Sequence, residues 1–178
     1  MKEGYKRVTE ILYPFSGLEN IDRDIVAHAA ERGSRVHKIC EGIVKGLGEF
    51  GVDDEVWGYV SSFNKWWDNG VGKEVLAIER RFYCDTFKIT GQVDLVIRQD
   101  DKIDIIDYKT SSRPSKTWLA QGSAYAYLCG QSFIQPDYVH FLHLNKHGKS
   151  PKIHEYAPDP TFFFHCYHVY MHFYHKEK

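Results

Sequence analysis

Residues 91–109 of this chain read GQVDLVIRQDDKIDIIDYK and have the pattern of a β-hairpin. The stretch from Gly91 to Ile97 is rich in apolar and β-branched residues, Gln99 to Lys102 is polar, and Ile103 to Tyr108 is apolar again. Two such segments around a short polar turn are typical of paired antiparallel strands. We therefore expect a hairpin whose turn is centred between Asp100 and Asp101.

This hairpin register brings two carboxylates together. With the turn at Asp100-Asp101, Asp94 lies directly opposite Asp107, and side chains so placed are about 4.5–5.5 Å apart at Cβ. Two acids at that spacing repel each other unless a hard cation lies between them. Lys109 is two residues past Asp107, so its side chain projects from the same face. The pattern predicts a metal site with a positive charge beside it.

The alternative is that these acids are simply solvated, as acidic residues on strands often are. We expect solvation of Asp100, Asp101 and Asp104. Asp94 and Asp107, however, interrupt apolar runs on strands that have apolar residues on both faces. This favours a sheet covered on both sides, where an unpaired carboxylate is costly, and it favours the metal site.

Length and composition indicate an ordinary globular domain. The chain has 178 residues, 43% hydrophobic and 26% charged, with a formal net charge of −1. That length allows one good core. We expect no membrane contact, because no apolar run approaches roughly 18 residues and no charged-then-apolar leader opens the chain. Without a global basic field, binding to nucleic acid needs a local groove.

The order of elements predicts an α/β fold in a single domain over residues 1–178, without linkers or repeats. A short helix or turn is expected near residues 8–13, capped by Thr9. Longer helices are expected at about 22–45, 53–67, 115–128 and from 160 to the C-terminus, and strands at about 74–84, 88–98, 102–109, 137–144 and 152–156. A break is expected at Asn69-Gly70, and Ile25 should lie on the buried stripe of the first long helix. This order is that of a central mixed β-sheet flanked by helices.

Three other patterns point away from additional sites. Residues 46–51 match G-x-G-x-x-G, but they follow a helix rather than a strand, so we interpret them as a helix stop and not as a dinucleotide site. The cysteines are widely spaced, which indicates small buried residues in a reducing compartment and no iron–sulfur cluster. A stripe of histidines on the last helix lies opposite its apolar face and is most simply solvated, because no cysteine or carboxylate completes a metal set. The stripe comprises His165, His168, His172 and His175.

Further candidates lie on the helices and on the strand before the hairpin. His37 is in mid-helix; a lone helix histidine is usually structural, but neutral imidazole also binds divalent ions. Gln121 and Tyr125 are four residues apart, so they share a helix face that is either a core stripe with two polar tips or part of the site. Glu79 is either a third acid at the edge of the site or an ion-pair partner of an arginine.

In sequence order, His37, Gly91-x-x-Asp94, Asp107-Tyr108-Lys109 and Gln121-x-x-x-Tyr125 resemble the RecB-like branch of the PD-(D/E)XK nuclease superfamily. The resemblance spans about residues 32–128, and its most specific part is the segment from Ile105 to Ser111. Val93 replaces the usual proline before the first acid, and the second acid is Asp rather than Glu. The cysteine quartet that binds an iron–sulfur cluster in some relatives is missing.

The resemblance implies a restriction-endonuclease-like core and a metal-dependent nuclease. In that interpretation, His37, Asp94, Asp107 and the Tyr108 carbonyl hold Mg²⁺ or Mn²⁺, Lys109 orients the attacking water, and Gln121 and Tyr125 position Lys109 or the strand being cut. The catalytic set is then Asp94, Asp107, Lys109, Gln121 and Tyr125. Candidates for substrate contacts are Glu79, Arg35, Arg113 and Lys116.

The leading hypothesis is an intracellular bacterial or phage deoxyribonuclease, an exonuclease acting on single-stranded or end-containing DNA in recombination or repair. Its expected partners are DNA, including single-stranded DNA, and recombination proteins. The alternative is an inactive or weakly active binding or assembly subunit that keeps the fold. Asp94, Asp107 and Lys109 argue against that alternative, because an inactive copy would be free to lose them.

Overall fold

Six strands form one mixed sheet in the computed structural model, which describes residues 2–68 and 72–175. In those residues the strands are β1 (Lys6–Arg7), β2 (Glu74–Cys84), β3 (Ile89–Gln99), β4 (Lys102–Lys109), β5 (Tyr138–His143) and β6 (Lys152–Tyr156). The helices are α1 (Val8–Leu12), α2 (Arg23–Val44), α3 (Trp57–Trp67), α4 (Trp118–Gly130) and α5 (Pro160–Phe173), and two short 3-10 turns cover Tyr13–Phe15 and Leu18–Asn20.

The sheet joins an antiparallel meander to a parallel crossover. β2, β3 and β4 pair antiparallel in chain order, β5 pairs parallel to β4, and β6 pairs antiparallel to β5. α4 makes the crossover between the parallel strands β4 and β5, as such connections require. β1 pairs parallel to the start of β3.

The β3–β4 hairpin has the predicted register. Gln99 pairs with Lys102 and Leu95 pairs with Ile106. Asp100 and Asp101 both have positive φ, 51° and 61°, as a two-residue turn of the I′ type requires. Asp94 and Asp107 therefore occupy the next opposed positions, one step beyond the last paired residues.

Hydrophobic cores cover the sheet on both faces, which confirms the predicted mixed sheet flanked by helices. α2 and α3 cover one face. The core between these helices and the sheet includes Val36, Phe63, Leu95, Tyr108 and Leu142. α1, α4 and α5 cover the other face. The core between these helices and the sheet includes Ile11, Val96, Ile105, Leu128 and Phe163. Both faces of the hairpin strands are thus removed from water, so their acids lie in a low-dielectric environment.

Several details differ from the sequence-based expectations. Ile25 is 64% exposed, because the part of α2 that joins the core begins only at Val36. α1 starts after Arg7, without a side-chain cap from Thr9. Asp104 is half-buried rather than solvated, and burial raises its pKa. β1 was not predicted, since two residues carry no periodicity.

Other outcomes concern the termini and the cysteines. The break predicted at Asn69-Gly70 lies outside the described residues, and α5 ends at Phe173 instead of continuing to the C-terminus. The predicted solvent stripe of α5 is exposed at His165, His168 and His172. All four cysteines are free; three are buried and Cys166 is half-buried. In the described part of the chain, no helix combines the length and apolar character needed to cross a membrane.

Candidate metal centre and active site

The candidate site forms where β3 and β4 separate. β2 occupies one edge of β3, and the opposite edge pairs with β1 at Ile89–Thr90 and with β4 from Leu95 onward. Between these stretches, within the described chain, residues 91–94 have no strand partner on that edge. There the backbone N–H of Tyr108 donates to Oδ2 of Asp94 at 2.8 Å. The Asp94 carboxylate thus takes the place of the backbone carbonyl that would accept this hydrogen bond in a regular sheet. The opening admits side chains from the helices.

Gly91 lets α4 reach this opening. A Cβ at position 91 would lie 2.7 Å from a ring carbon of Tyr125 and 3.0 Å from Leu128. Real Cβ atoms do not approach other atoms that closely, so only glycine permits the Tyr125 ring to lie against β3. The glycine of the Gly91-x-x-Asp94 pattern therefore positions α4 over the carboxylates.

His37 joins the site from the opposite face of the sheet. Its Nδ1 lies 3.2 Å from Oδ1 of Asp94, and its Nε2 lies 2.9 Å from the backbone oxygen of Tyr108. The predicted ligands His37, Asp94 and the Tyr108 carbonyl are therefore brought together by α2, β3 and β4. Asp94 is buried and His37 is half-buried, so water screens their interaction only weakly.

Glu79 completes a three-residue donor group. Ligand atoms of His37, Glu79 and Asp94 all lie within 4.8 Å of one another. Glu79 has φ of +45° in the middle of β2, a strained value for a residue other than glycine. Its Oε2 accepts from Gln92 at 2.7 Å, while its Oε1 is buried without a hydrogen-bond partner, 3.9 Å from Nδ1 of His37.

The chemistry of this donor group fits a divalent cation. Carboxylate oxygens bind hard divalent cations, and a neutral imidazole is a common metal ligand. A cation held by the three residues would also satisfy the buried Oε1 of Glu79, which is otherwise costly to leave unpaired. Asp107 is not a member of this group, so the second predicted acid lies beside the donor cluster rather than within it.

The electrostatics of the group are those of acids crowded around one imidazole. Burial opposes the charged form of His37, but the charge and hydrogen bond of Asp94 outweigh it and raise the pKa of His37 to about 9. Burial would raise the pKa of Asp94, yet His37 and Lys109 hold that pKa below its usual value. Burial and the charge of Asp94 raise the pKa of Glu79. The imidazolium thus partly neutralises the acids.

Asp107 and Lys109 form the second part of the site. Nζ of Lys109 lies 2.6 Å from Oδ2 of Asp107 and donates to Oε1 of Gln121 at 3.1 Å. The amide nitrogen of Gln121 donates to the Tyr125 hydroxyl at 2.9 Å and to Oδ1 of Asp107 at 3.3 Å. Burial raises the pKa of Asp107 to about 6, with Lys109 opposing and Asp94 adding to that rise. Gln121 thereby contacts Asp107, Lys109 and Tyr125. A residue that holds Lys109 in position would make such contacts.

The predicted substrate contacts are more scattered. Arg35 lies on α2 and is engaged in ion pairs with Asp53 and Glu55. Arg113 and Lys116 are exposed on the loop that connects Lys109 to α4. Of these two regions, the loop is the one that directly follows the end of β4, which carries Lys109.

Two residues were given no role from the sequence, although they organise the site. Gln92 donates to Glu79, and its own side-chain oxygen accepts from Arg81 at 2.6 Å. Arg81 and Gln92 are cross-strand partners on β2 and β3. The sequence shows a polar residue, Gln92, between Gly91 and Val93. That pattern alone did not predict that Gln92 would pair with Arg81 across the two strands.

A comparison of the sequence with models of protein families finds a match that covers most of the chain. Residues 54–163 match the model of the PD-(D/E)XK nuclease superfamily. This chain belongs to that superfamily. The matched segment carries Glu79, Asp94, Asp107 and Lys109 and begins after α2, so His37 lies outside it.

A solved structure also has a fold similar to that of this chain. The crystal structure of SSO0001 is similar to this chain with a TM-score of 0.55 and 17% sequence identity, and the superposition covers 98% of this chain and 78% of that chain. At such low identity the likeness concerns the fold alone, and it confirms the predicted restriction-endonuclease-like α/β core. No curated protein matches the sequence significantly.

Proposed function

We propose that this protein is a divalent-cation-dependent deoxyribonuclease of the RecB-like branch, an exonuclease on single-stranded or end-containing DNA in recombination or repair. The observation that carries the proposal is the convergence of His37, Glu79 and Asp94 beside the Asp107–Lys109 pair. The branch, the DNA substrate and the exonuclease mode rest on the resemblance of residues 32–128 to that branch.

In this proposal His37, Glu79, Asp94 and the Tyr108 carbonyl hold Mg²⁺ or Mn²⁺. When bound, such a cation neutralises charge on the scissile phosphate and acidifies water. Asp107 is close enough to share in charge balance and orients the ammonium group of Lys109. Asp94 is buried and His37 and Glu79 are half-buried, so these charges act more strongly than they would in water.

Lys109 is the proposed catalytic side chain. Its ammonium group, held by Asp107 and Gln121, stabilises negative charge that develops on the phosphate and orients the attacking water. Removal of a proton from water would require a lysine pKa far below the usual value. We therefore assign Lys109 to orientation and charge stabilisation, with Gln121 and Tyr125 as positioning residues.

The decisive experiment incubates the protein with labelled linear and circular DNA in Mg²⁺, Mn²⁺ or EDTA. We expect degradation of linear DNA with either cation and none in EDTA, with Asp94→Asn inactive as the matched control. Nicking of circles would identify an endonuclease and overturn the exonuclease assignment. No degradation under any condition would overturn the enzymatic proposal and favour a binding or assembly subunit.

A further inference from the structure

A cleft lies between the second half of α2 and residues 46–51, outside the proposed catalytic cluster. Its volume is about 550 Å³, within the usual range for small-ligand sites. Its lining includes Lys38, Glu41, Lys45, Leu47 and Phe50. The residues that match G-x-G-x-x-G thus form one wall of a cleft, beyond their role in ending α2.

The wall of the cleft exposes a large apolar surface. Phe50 is 76% exposed and Leu47 is 63% exposed. Single exposed apolar residues are normal on protein surfaces. Here two of them line the same cleft, and one presents an aromatic ring, a group on which any nucleobase can stack.

Residues 46–51 are held in place on both sides. Gly46 has φ of +70°, and the backbone N–H of Leu47 donates to the oxygen of Gly42 at 2.9 Å. The side chain of Asn64 on α3 donates to Glu49 at 2.5 Å. Phe50 is therefore displayed by a segment anchored to both α2 and α3, which lowers the entropy lost when a ligand binds.

The cleft also offers one free positive charge. Arg35 pairs with acids of the following loop, and Lys45 pairs with Glu41 at 2.5 Å. Lys38 is exposed and has no ion-pair partner among residues 2–68 and 72–175. An anion that enters the cleft can thus bind Lys38 without breaking an existing ion pair.

The cleft and the proposed metal centre share the second half of α2, which carries both His37 and part of the cleft lining. Glu41, which lines the cleft, is one helical turn beyond His37 and on the same face of the helix. Lys38 directly follows His37 in the chain. A DNA strand that extends from the metal centre along the second half of α2 would enter this cleft.

We propose that the cleft is a stacking subsite for an unpaired nucleobase of the DNA strand, with the base on Phe50 and its phosphate at Lys38. This inference rests on the proposed nuclease function and adds the place where an unpaired base of the strand binds. It differs from a dinucleotide site because recognition comes from an aromatic ring and a lysine, and not from glycine backbone around a pyrophosphate.

The test measures binding of single-stranded oligonucleotides to the full chain in EDTA, where the proposed nuclease is inactive. One oligonucleotide carries 2-aminopurine, whose fluorescence falls when it stacks, and a second carries abasic positions. We expect Phe50→Ala to weaken binding of the base-containing strand about tenfold and to abolish the fluorescence change. The abasic strand should bind wild type and Phe50→Ala equally well.

Two control variants separate stacking from general effects. Lys38→Ala should weaken binding of both strands and reduce the salt dependence by about 0.7 in the slope of log K against log salt. Phe133→Ala should have no effect, because Phe133 is an exposed phenylalanine beyond the C-terminal end of α4 that does not line the cleft. Phe50 is exposed, so its replacement should leave the melting temperature unchanged.

The outcomes distinguish this inference from the proposed function. Unchanged binding by Phe50→Ala, or equal weakening for both strands, overturns the stacking subsite while DNA cleavage by the wild type stands. Failure of the wild type to bind or cleave any DNA overturns the proposed function, and the subsite with it.

Discussion

Nδ1 of His37 and Oδ1 of Asp94 lie 3.2 Å apart, although α2 and the carboxylate-bearing end of β3 approach from different layers of the fold. The acids around this imidazole raise the pKa of His37 to about 9, so near neutral pH it carries the positive charge that balances them. A divalent cation at the same group would perform that balancing role and would require the neutral imidazole as a ligand.

Cation binding should therefore strengthen as pH rises. Below about pH 9 the cation must displace a proton from His37, so the affinity for Mn²⁺ should increase about tenfold per pH unit between pH 7 and 9 and then level off. Titration calorimetry in buffers of different ionisation enthalpy measures both the affinity and the released proton. In His37→Gln, which cannot titrate, the dependence on pH should flatten; an unchanged slope would show that the proton comes from another group.

Replacement of Lys109 should separate chemistry from binding. Lys109→Ala removes the charge held by Asp107 and Gln121, and we expect the cleavage rate to fall at least about 100-fold. DNA affinity, measured by fluorescence anisotropy in EDTA, should change less than about threefold, because one phosphate contact contributes little of the total. Lys149→Ala, an exposed lysine on the β5–β6 connection, is the matched control. Equal loss of rate and affinity in Lys109→Ala would contradict the catalytic assignment.

The sequence predicted the hairpin well because its information is local. Apolar, β-branched runs and the Asp100-Asp101 turn are sufficient to define the register that aligns Asp94 with Asp107. The placement of His37 followed only from the family resemblance, since no local pattern indicates which helix residue will cross to a strand carbonyl.

Other features depend on tertiary structure, and the sequence offers no physical reason for them, although it suggested Glu79 as a third acid. Glu79 enters the donor group through a left-handed backbone conformation in the middle of β2, which nothing in its sequence neighbours requires. Among the described residues, β3 and β4 do not pair on the N-terminal side of Leu95, and Asp107 is not a member of the three-residue group, although the register places it opposite Asp94. Ile25 fits a helical stripe but lies beyond the reach of the core.

Gln92 should influence cation affinity without being a ligand. Its amide holds one oxygen of Glu79, leaving the other oxygen directed at His37. Gln92→Leu removes that hydrogen bond, and we expect the Kd for Mn²⁺ to rise about 10- to 100-fold, as is typical when a group that orients a ligand is lost. Arg81→Met should have a smaller effect in the same direction, because Arg81 acts only on Gln92.

A control on the same strand tests the specificity of this effect. Arg98→Met removes an exposed ion pair with Glu74 at the far end of β3 and should leave Mn²⁺ affinity unchanged. If Gln92→Leu binds Mn²⁺ as tightly as the wild type, Glu79 either needs no orientation or is not a ligand; Glu79→Gln, measured in the same way, decides between those two explanations.

Gly91→Ala should disrupt the contact between β3 and α4. The new Cβ would lie 2.7 Å from the Tyr125 ring, so the ring or the helix must move and the hydrogen bond from Gln121 to Tyr125 should break. We expect a loss of about 1–3 kcal/mol in unfolding free energy, roughly 3–10 °C in melting temperature, together with reduced cleavage. Gly33→Ala is the matched control: its Cβ would meet the Thr110 hydroxyl at an ordinary 3.4 Å inside α2, where alanine favours the helix.

Adding Tyr125→Val to Gly91→Ala removes the ring that causes the clash, so the double variant should be more stable than the sum of the single losses predicts. Strictly additive losses in thermal unfolding followed by circular dichroism would mean that Gly91 is required for a reason other than the approach of Tyr125.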